Sequence, residues 1–180
     1  MLLERGYSAL HGGQMDRVAL SGQLAGVFLG FQGSEFGQLL AMSPAGSSVY
    51  AATGSATAVA CGRISYVLGM QGPCAAYDTA CSATLVASHA GLRALQLDEC
   101  SVGLVAGAIL MCVPAISIAF AIAGMTSARG RCHTFDKRAD GYARSEACGA
   151  ISLLQTRAHD GMTLSIDGSA VRQDGRSASL

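Results

Sequence analysis

The segment from Tyr77 to Leu85 is the part of the sequence best suited to chemistry. It is predicted to be the end of a strand, a tight turn of small residues, and a helix that begins at Ser82. Cys81 would lie at that turn, where free N–H groups and the positive end of the helix dipole stabilise a thiolate. Its small neighbours leave room for a substrate to reach the sulfur. The pattern therefore predicts a nucleophilic cysteine, and the alternative is a buried structural thiol.

The other six cysteines do not form the pattern of a disulfide framework or a metal site. The chain has seven cysteines, no two of them are spaced C-x-x-C, and none of its four histidines is followed by glutamate. These features favour free thiols in a reducing, intracellular compartment, either cytoplasmic or plastid. They do not favour zinc, and we predict no metal ligands. We expect these six cysteines to be structural.

The composition disfavours several classes of function. The chain has 180 residues, 51% of them hydrophobic, and a formal net charge of zero. A neutral chain does not attract phosphates, so nucleic acid is not an expected partner. The single lysine, Lys137, does not follow a glycine-rich run, which excludes a P-loop.

One uncharged run, Cys100–Ala128, has the length of a membrane span. Turn-forming residues such as Gly107 and Pro114 interrupt it, so we predict a buried strand at 102–110 and a short segment at 116–123 instead. We therefore expect no membrane span. A strand that is buried on both faces needs a layer of structure on each side.

The rest of the chain alternates helices with apolar strands, which is typical of an α/β layered fold. Ser34 and Ser55 are the expected helix caps, Leu85 and Leu95 are expected on one helix face, and residues 43–53 are predicted to be a loop. The predicted helices lie near residues 3–10, 34–40, 55–68 and 82–97, and the predicted strands near 26–30, 74–78, 149–155 and 164–171.

The motif around the candidate nucleophile, Asp78-Thr79-Ala80-Cys81-Ser82, resembles that of β-ketoacyl synthases, the ketosynthase domains of polyketide and fatty-acid synthases. The resemblance covers nearly the whole chain and is closest to type I polyketide ketosynthases. Further blocks follow the family's order: Gly62-Arg63-Ile64-Ser65-Tyr66, Gln71-Gly72-Pro73, Ala123-Gly124-Met125, Gly130-Arg131-Cys132-His133-Thr134-Phe135-Asp136, Ala139-Asp140-Gly141-Tyr142-Ala143-Arg144 and Gly168-Ser169-Ala170-Val171.

The resemblance implies a thiolase-like, layered αβαβα fold, here mostly its N-terminal half, and a homodimer. It implies that Cys81 takes an acyl chain from the phosphopantetheine of an acyl carrier protein, with no tightly bound cofactor. A malonyl-type extender then loses carbon dioxide, and its carbanion attacks the acyl-enzyme in a decarboxylative Claisen condensation. The N–H of Cys81 is expected to contribute to an oxyanion hole.

The family's two catalytic histidines and its lysine are expected beyond this chain. Residues 1–180 would then be a partial ketosynthase domain, truncated at both ends. His89 follows the nucleophile by eight residues, about 12 Å along a helix, and is too far away to act as its base. His133 is expected in a polar loop, and His11 and His159 are expected at the surface.

Three other interpretations stay open. One is a thiolase-fold condensing enzyme that uses coenzyme A thioesters, and the blocks after Gly130 argue against it. Another is a catalytically inactive ketosynthase-like scaffold, and the retained Cys81 argues against that. The last is a thiol redox sensor, which would need a resolving cysteine that the neighbouring sequence does not supply.

The segment after residue 135 carries an unusual density of charge for this chain. Asp136, Asp140, Arg144 and Glu146 are predicted to form a buried ion-pair network that holds their loop, and the alternative is a direct part in catalysis. Ser145 and Ala147 lie where the family usually has glycine, so a left-handed backbone at either position would be strained.

Overall fold

The computed structural model describes residues 1–33, 35–155 and 164–176. Its centre is a four-stranded sheet of β1 (Ala25–Gly30), β2 (Cys74–Tyr77), β3 (Val102–Ile109) and β4 (Ala147–Leu154). The strand order is β2-β1-β3-β4. β1 is parallel to both β2 and β3, whereas β4 is antiparallel to β3.

Helices precede and follow these strands along the chain. Short 3-10 helices lie at Pro44–Ser47 and Ala80–Ser82. The α-helices are α1 (Leu2–Gly12), α2 (Arg17–Leu20), α3 (Glu35–Ala41), α4 (Ala51–Ser55), α5 (Thr57–Leu68), α6 (Ala83–Gln96) and α7 (Pro114–Ile122).

The sheet separates two apolar clusters, one under α1 and α5 and the other under α6. Successive side chains of a strand point to opposite faces, so Val27 and Leu29 belong to the first cluster and Phe28 to the second. Leu104 and Val105 on β3 are likewise buried on opposite faces. These positions confirm the prediction that residues 102–110 contain a strand covered by a layer of structure on each face.

Two local predictions are wrong. Residues 43–53 are not a continuous loop, because they contain a 3-10 helix and the start of α4. These elements are too short for hydrophobic periodicity to reveal them. Leu164–Val171 forms no strand, because an apolar alternation becomes a strand only where a neighbouring strand accepts its hydrogen bonds.

The helix faces and caps also differ from expectation. Leu85 is 74% exposed, whereas Leu95 is buried as expected, and α6 otherwise packs on the sheet through small residues. The N-cap position of α5 is Ala56 rather than Ser55, with no side-chain hydrogen bond. Ser34 and His159 lie outside the described residues. The buried face of α6 consists of Ala83, Ala87, Gly91, Ala94 and Leu95.

The long uncharged run is divided between β3 and α7, as its turn-forming residues predict. Among the residues that the structure describes, no helix has both the length and the hydropathy needed to cross a bilayer.

Candidate active site

Cys81 lies in a tight turn between the end of β2 and the start of α6, as the sequence predicts. Two side chains close this turn. The Asp78 carboxylate accepts a hydrogen bond from the N–H of Ala80 at 3.1 Å, and the Ser82 hydroxyl donates to the Thr79 carbonyl at 2.9 Å. These local bonds hold Cys81 at the surface, where it is exposed.

The residue before Cys81 has an uncommon backbone conformation. Ala80 has φ of +53°, in the left-handed region, where a side chain costs roughly 1–2 kcal/mol. Such strain persists only where the surrounding contacts hold it, and it is most frequent at functional sites. By contrast, Ser145 and Ala147 do not have positive φ, so their side chains cause no such strain.

The turn lies at the edge of the sheet where three parallel strands end. Gly30 of β1 is in register with Tyr77 of β2 on one side and Gly107 of β3 on the other. Ligands of α/β proteins bind at this carboxyl edge, and the first turn of α6 directs free N–H groups toward it. The fold therefore places Cys81 where a substrate is most readily bound.

A cavity of about 1020 Å³ adjoins Cys81. Its walls include Val105 and Ile109 of β3, Phe120 of α7 and Ile151 of β4. Such a lining suits an apolar chain better than a charged group, because a charge would lose its hydration without gaining a partner. The sulfur thus lies beside space that fits an apolar substituent.

Arg144 borders this cavity, but its guanidinium is already occupied. It donates to Glu35 at 3.0 Å and to the Ser117 hydroxyl at 2.6 Å, and it lies 5.2 Å from the centre of the Phe120 ring. Only 9% of the Arg144 side chain and 5% of the Glu35 side chain are exposed. The pair is therefore part of the wall rather than a free charge for a substrate.

Glu35 is held by the backbone as well as by arginine. Its carboxylate accepts hydrogen bonds from the N–H groups of Val113 at 2.9 Å and Cys112 at 2.8 Å. The Val113 bond is the largest influence on the pKa of Glu35, and together with Arg144 it outweighs burial and lowers that pKa. The pair links α3, the start of α7 and the segment before β4.

The predicted network among four neighbouring charges is wrong. Asp136 instead pairs with Arg138 at 2.6 Å within its own turn, and Asp140 lies 3.8 Å from Arg129. Glu146 accepts a hydrogen bond from the N–H of Met111 at 2.9 Å. Each carboxylate has a separate partner, so these side chains do not converge.

No histidine of the described residues lines the cavity. His89 lies further along α6, where its Nδ1 is 2.8 Å from the Ser169 hydroxyl. His11 packs against Tyr7, with ring centroids 5.8 Å apart. The described residues thus supply a thiol and an apolar cavity, without a neighbouring imidazole base.

Comparison with known families accounts for this arrangement. The model of the β-ketoacyl synthase N-terminal domain matches residues 1–159. The chain belongs to the β-ketoacyl synthase family. This confirms the resemblance that the motif around Cys81 indicates.

Polyketide synthases are among the relatives of this ketosynthase chain. A phenolphthiocerol/phthiocerol polyketide synthase of Mycobacterium tuberculosis is 39% identical over 181 residues, which cover 98% of the chain. Erythronolide synthase EryA2 of Saccharopolyspora erythraea is 38% identical over 184 residues, which cover 100% of it. The chain spans 12% and 5% of the length of these two relatives.

Solved ketosynthase structures share the fold. The ketosynthase from module 6 of the bacillaene synthase of Bacillus subtilis matches 86% of the chain, with a TM-score of 0.77 and 33% identity. The oxazolomycin ketosynthase domain of Streptomyces albus matches 84%, with a TM-score of 0.74 and 30% identity. The chain covers 26% of each of those chains. The predicted thiolase-like α/β fold is confirmed.

The sequence did not indicate the partners of Arg144 in this ketosynthase. Glu35 is 109 positions away and Ser117 is 27 positions away. Neither lies in a pattern that indicates burial. The available hint was a glutamate five residues after a fully apolar strand, because a carboxylate that packs near a buried strand needs a partner.

The cysteines of this ketosynthase should differ in reactivity toward iodoacetamide. Burial and the neighbouring Cys74 thiol raise the pKa of Cys61 to about 11, and burial raises the pKa of Cys100. Both should be inert at neutral pH. Cys74 and Cys132 are exposed like Cys81 but do not precede a long helix.

We therefore expect Cys81 to be alkylated at least about tenfold faster than Cys74 or Cys132 at pH 7, because the positive end of the α6 dipole adjoins its sulfur and the neighbouring cavity admits the reagent. The protein is treated with a limiting amount of iodoacetamide, and peptide mapping then gives the alkylation rates of the three cysteines in one sample. Equal rates at these three exposed sites would contradict the prediction.

Proposed function

We propose that this chain carries the nucleophile of a β-ketoacyl-[acyl-carrier-protein] synthase that acts in polyketide biosynthesis. The observation that supports this most is the position of Cys81: an exposed thiol before α6, at the carboxyl edge of the sheet, beside an apolar cavity of about 1020 Å³. The family and the polyketide synthase relatives agree with this chemistry.

In the first half-reaction, the thiolate of Cys81 attacks the carbonyl carbon of an acyl thioester. The sulfur–carbon bond to the carrier breaks, the carrier leaves as a thiolate that is protonated from solvent, and the acyl group stays on Cys81. The N–H of Cys81 would stabilise the oxyanion of the tetrahedral intermediate. The apolar walls of the cavity would hold the alkyl part of the acyl group.

In the second half-reaction, a malonyl-type thioester loses carbon dioxide and the resulting carbanion attacks the acyl carbonyl. A carbon–carbon bond forms, the Cys81 thiolate leaves, and a β-ketoacyl carrier is released. The described residues place no histidine beside Cys81 to assist decarboxylation. We infer that residues 1–180 are one part of a ketosynthase domain whose two histidines and lysine lie elsewhere in the polypeptide.

The partner that fits this scheme is an acyl carrier protein with its phosphopantetheine arm, and the chemistry needs no tightly bound cofactor.

We also propose an intracellular homodimer. Free thiols at all seven cysteines suit a reducing compartment. Sedimentation equilibrium of the full-length polypeptide tests the dimer, and a monomer at micromolar concentration would refute it.

Acyl transfer from two donors tests the function. The full-length polypeptide is mixed with one acyl group carried on an acyl carrier protein or on coenzyme A, and intact mass and peptide mapping locate the transferred group. We expect faster loading from the carrier protein, on Cys81. Faster loading from coenzyme A would favour a coenzyme A-dependent condensing enzyme, and no loading from either donor would favour an inactive scaffold.

A further inference from the structure

We propose that Gly30 and Gly107 are positioning residues for Cys81: they form a patch without side chains on which the first turn of α6 docks through Thr84. This inference rests on the proposed role of Cys81 as the nucleophile. The contact determines how deeply the start of α6, and therefore the thiol, sits against the carboxyl edge of the sheet.

The two glycines lie side by side in the sheet. Gly30 ends β1, and Gly107 is its register partner on the parallel strand β3. Both lie on the sheet face that carries Phe28 and Val105, two residues before each of them, and this is the face covered by α6. Two missing side chains at adjacent positions leave a flat area on an otherwise apolar surface.

Thr84 fills that area. A Cβ atom at Gly30 would overlap the backbone N and Cα of Thr84, and a Cβ atom at Gly107 would overlap its Oγ1. At each glycine the closest distance would be far below 3.0 Å, and real Cβ atoms essentially never come that close to another heavy atom. Further along the helix the fit is looser, because a Cβ at Gly91 would meet only side-chain atoms, of Phe28 at 3.1 Å and Val105 at 3.2 Å. Of these glycine sites, α6 is thus most tightly seated at its first turn.

The docked turn is directly connected to the nucleophile. Thr84 is the second residue of α6, and the 3-10 turn that contains Cys81 leads into the helix without a break. Gly30, Gly107, Thr84 and Cys81 also line the same cavity. A shift of about 1 Å in a reacting group lowers a rate on the order of a hundredfold, so a displaced α6 should impair acyl loading.

The two glycines differ in how their replacement can be compensated. An alanine at Gly107 meets the Thr84 side chain, and trimming Thr84 to alanine removes that overlap. An alanine at Gly30 meets the Thr84 backbone, which no change of side chain removes. Gly103 provides a matched control on the same face of β3, because its Cβ would have ordinary contacts with Phe28 at 3.6 Å and Leu153 at 3.7 Å.

The experiment compares G30A, G107A, T84A, G107A/T84A, G30A/T84A and G103A in the full-length polypeptide. Three quantities are measured: the rate constant of Cys81 alkylation, the acyl-loading rate as a function of donor concentration, and the thermal midpoint. We expect G107A to lower the maximal loading rate on the order of a hundredfold with little change in the half-saturating donor concentration. Cys81 alkylation should slow in parallel.

The double variants decide between positioning and general damage. G107A/T84A should restore loading and alkylation, G30A/T84A should stay as impaired as G30A, and G103A should match the wild type. Wild-type rates in G107A, or a loss in G107A that T84A does not restore, would overturn the proposal. So would an equal loss in G103A.

Two further outcomes are also decisive. If G107A alone fails to fold, the proposal requires that G107A/T84A folds and reacts at Cys81. If neither variant folds, the proposal is overturned. If the wild type loads no acyl group on Cys81, the proposed function fails, whereas the alkylation rates of the same variants still test the positioning.

Discussion

Replacing Cys81 with alanine should abolish acyl loading from the carrier protein. Cys81 is the one thiol among the described residues that line the 1020 Å³ cavity, so no other thiol there can take the acyl group. Serine at this position should also load very little, because a hydroxyl is a far weaker nucleophile than a thiolate at neutral pH. Intact mass spectrometry after incubation with the acyl carrier measures both variants.

The exposed position of Cys81 makes this substitution easy to interpret. Its side chain is not part of either apolar cluster, so the free energy of unfolding should change by less than about 0.5 kcal/mol. The matched controls are C74A and C132A, which remove the two other exposed thiols and should load normally. Loading of the alanine variant at the wild-type rate would place the nucleophile elsewhere and refute the assignment.

Elements with strong patterns were predictable from the sequence. The apolar strands β1 and β3, the amphipathic helix α1 and the strand–turn–helix around Cys81 were all predictable, because burial on both faces gives a continuous apolar run and burial on one face gives an apolar period. The position proposed for the nucleophile follows from the same local pattern. Thus the part of the site that is contiguous in sequence could be located without the structure.

Features that depend on residues far apart in sequence could not be anticipated. The burial of Glu35 follows from Arg144, and the close seating of Thr84 follows from glycines on two strands. The exposed position of Leu85 has the same origin, since α6 approaches the sheet so closely at its first turn that only small residues fit beneath it there, whereas Leu95 is buried near the other end of the helix. Helical spacing indicates which residues share a face, but the neighbouring element determines which face is buried.

Replacing Arg144 with methionine should lower the free energy of unfolding by about 3–5 kcal/mol. The substitution leaves the Glu35 carboxylate buried, with two backbone N–H groups but no opposite charge. It also removes the bond to Ser117 and the contact with Phe120. Urea unfolding at pH 7 measures the change. The double variant E35Q/R144M is the control, since it removes both charges and should recover much of the lost stability.

The pH dependence of the stability loss in R144M tests whether the unpaired Glu35 carboxylate causes that loss. In the wild type the pKa of Glu35 is lowered from its ordinary value of 4.5. The ionised Glu35 therefore contributes fully to the free energy of unfolding above pH 4.5, and this contribution is lost as the pH falls through the folded-state pKa. Without Arg144 the folded-state pKa rises, and protonation then relieves the unpaired buried charge. The difference in unfolding free energy between wild type and R144M should therefore narrow as the pH falls from 7 toward 4. A difference that is constant over this range would mean that Arg144 stabilises the fold through packing on Phe120 rather than through its charge.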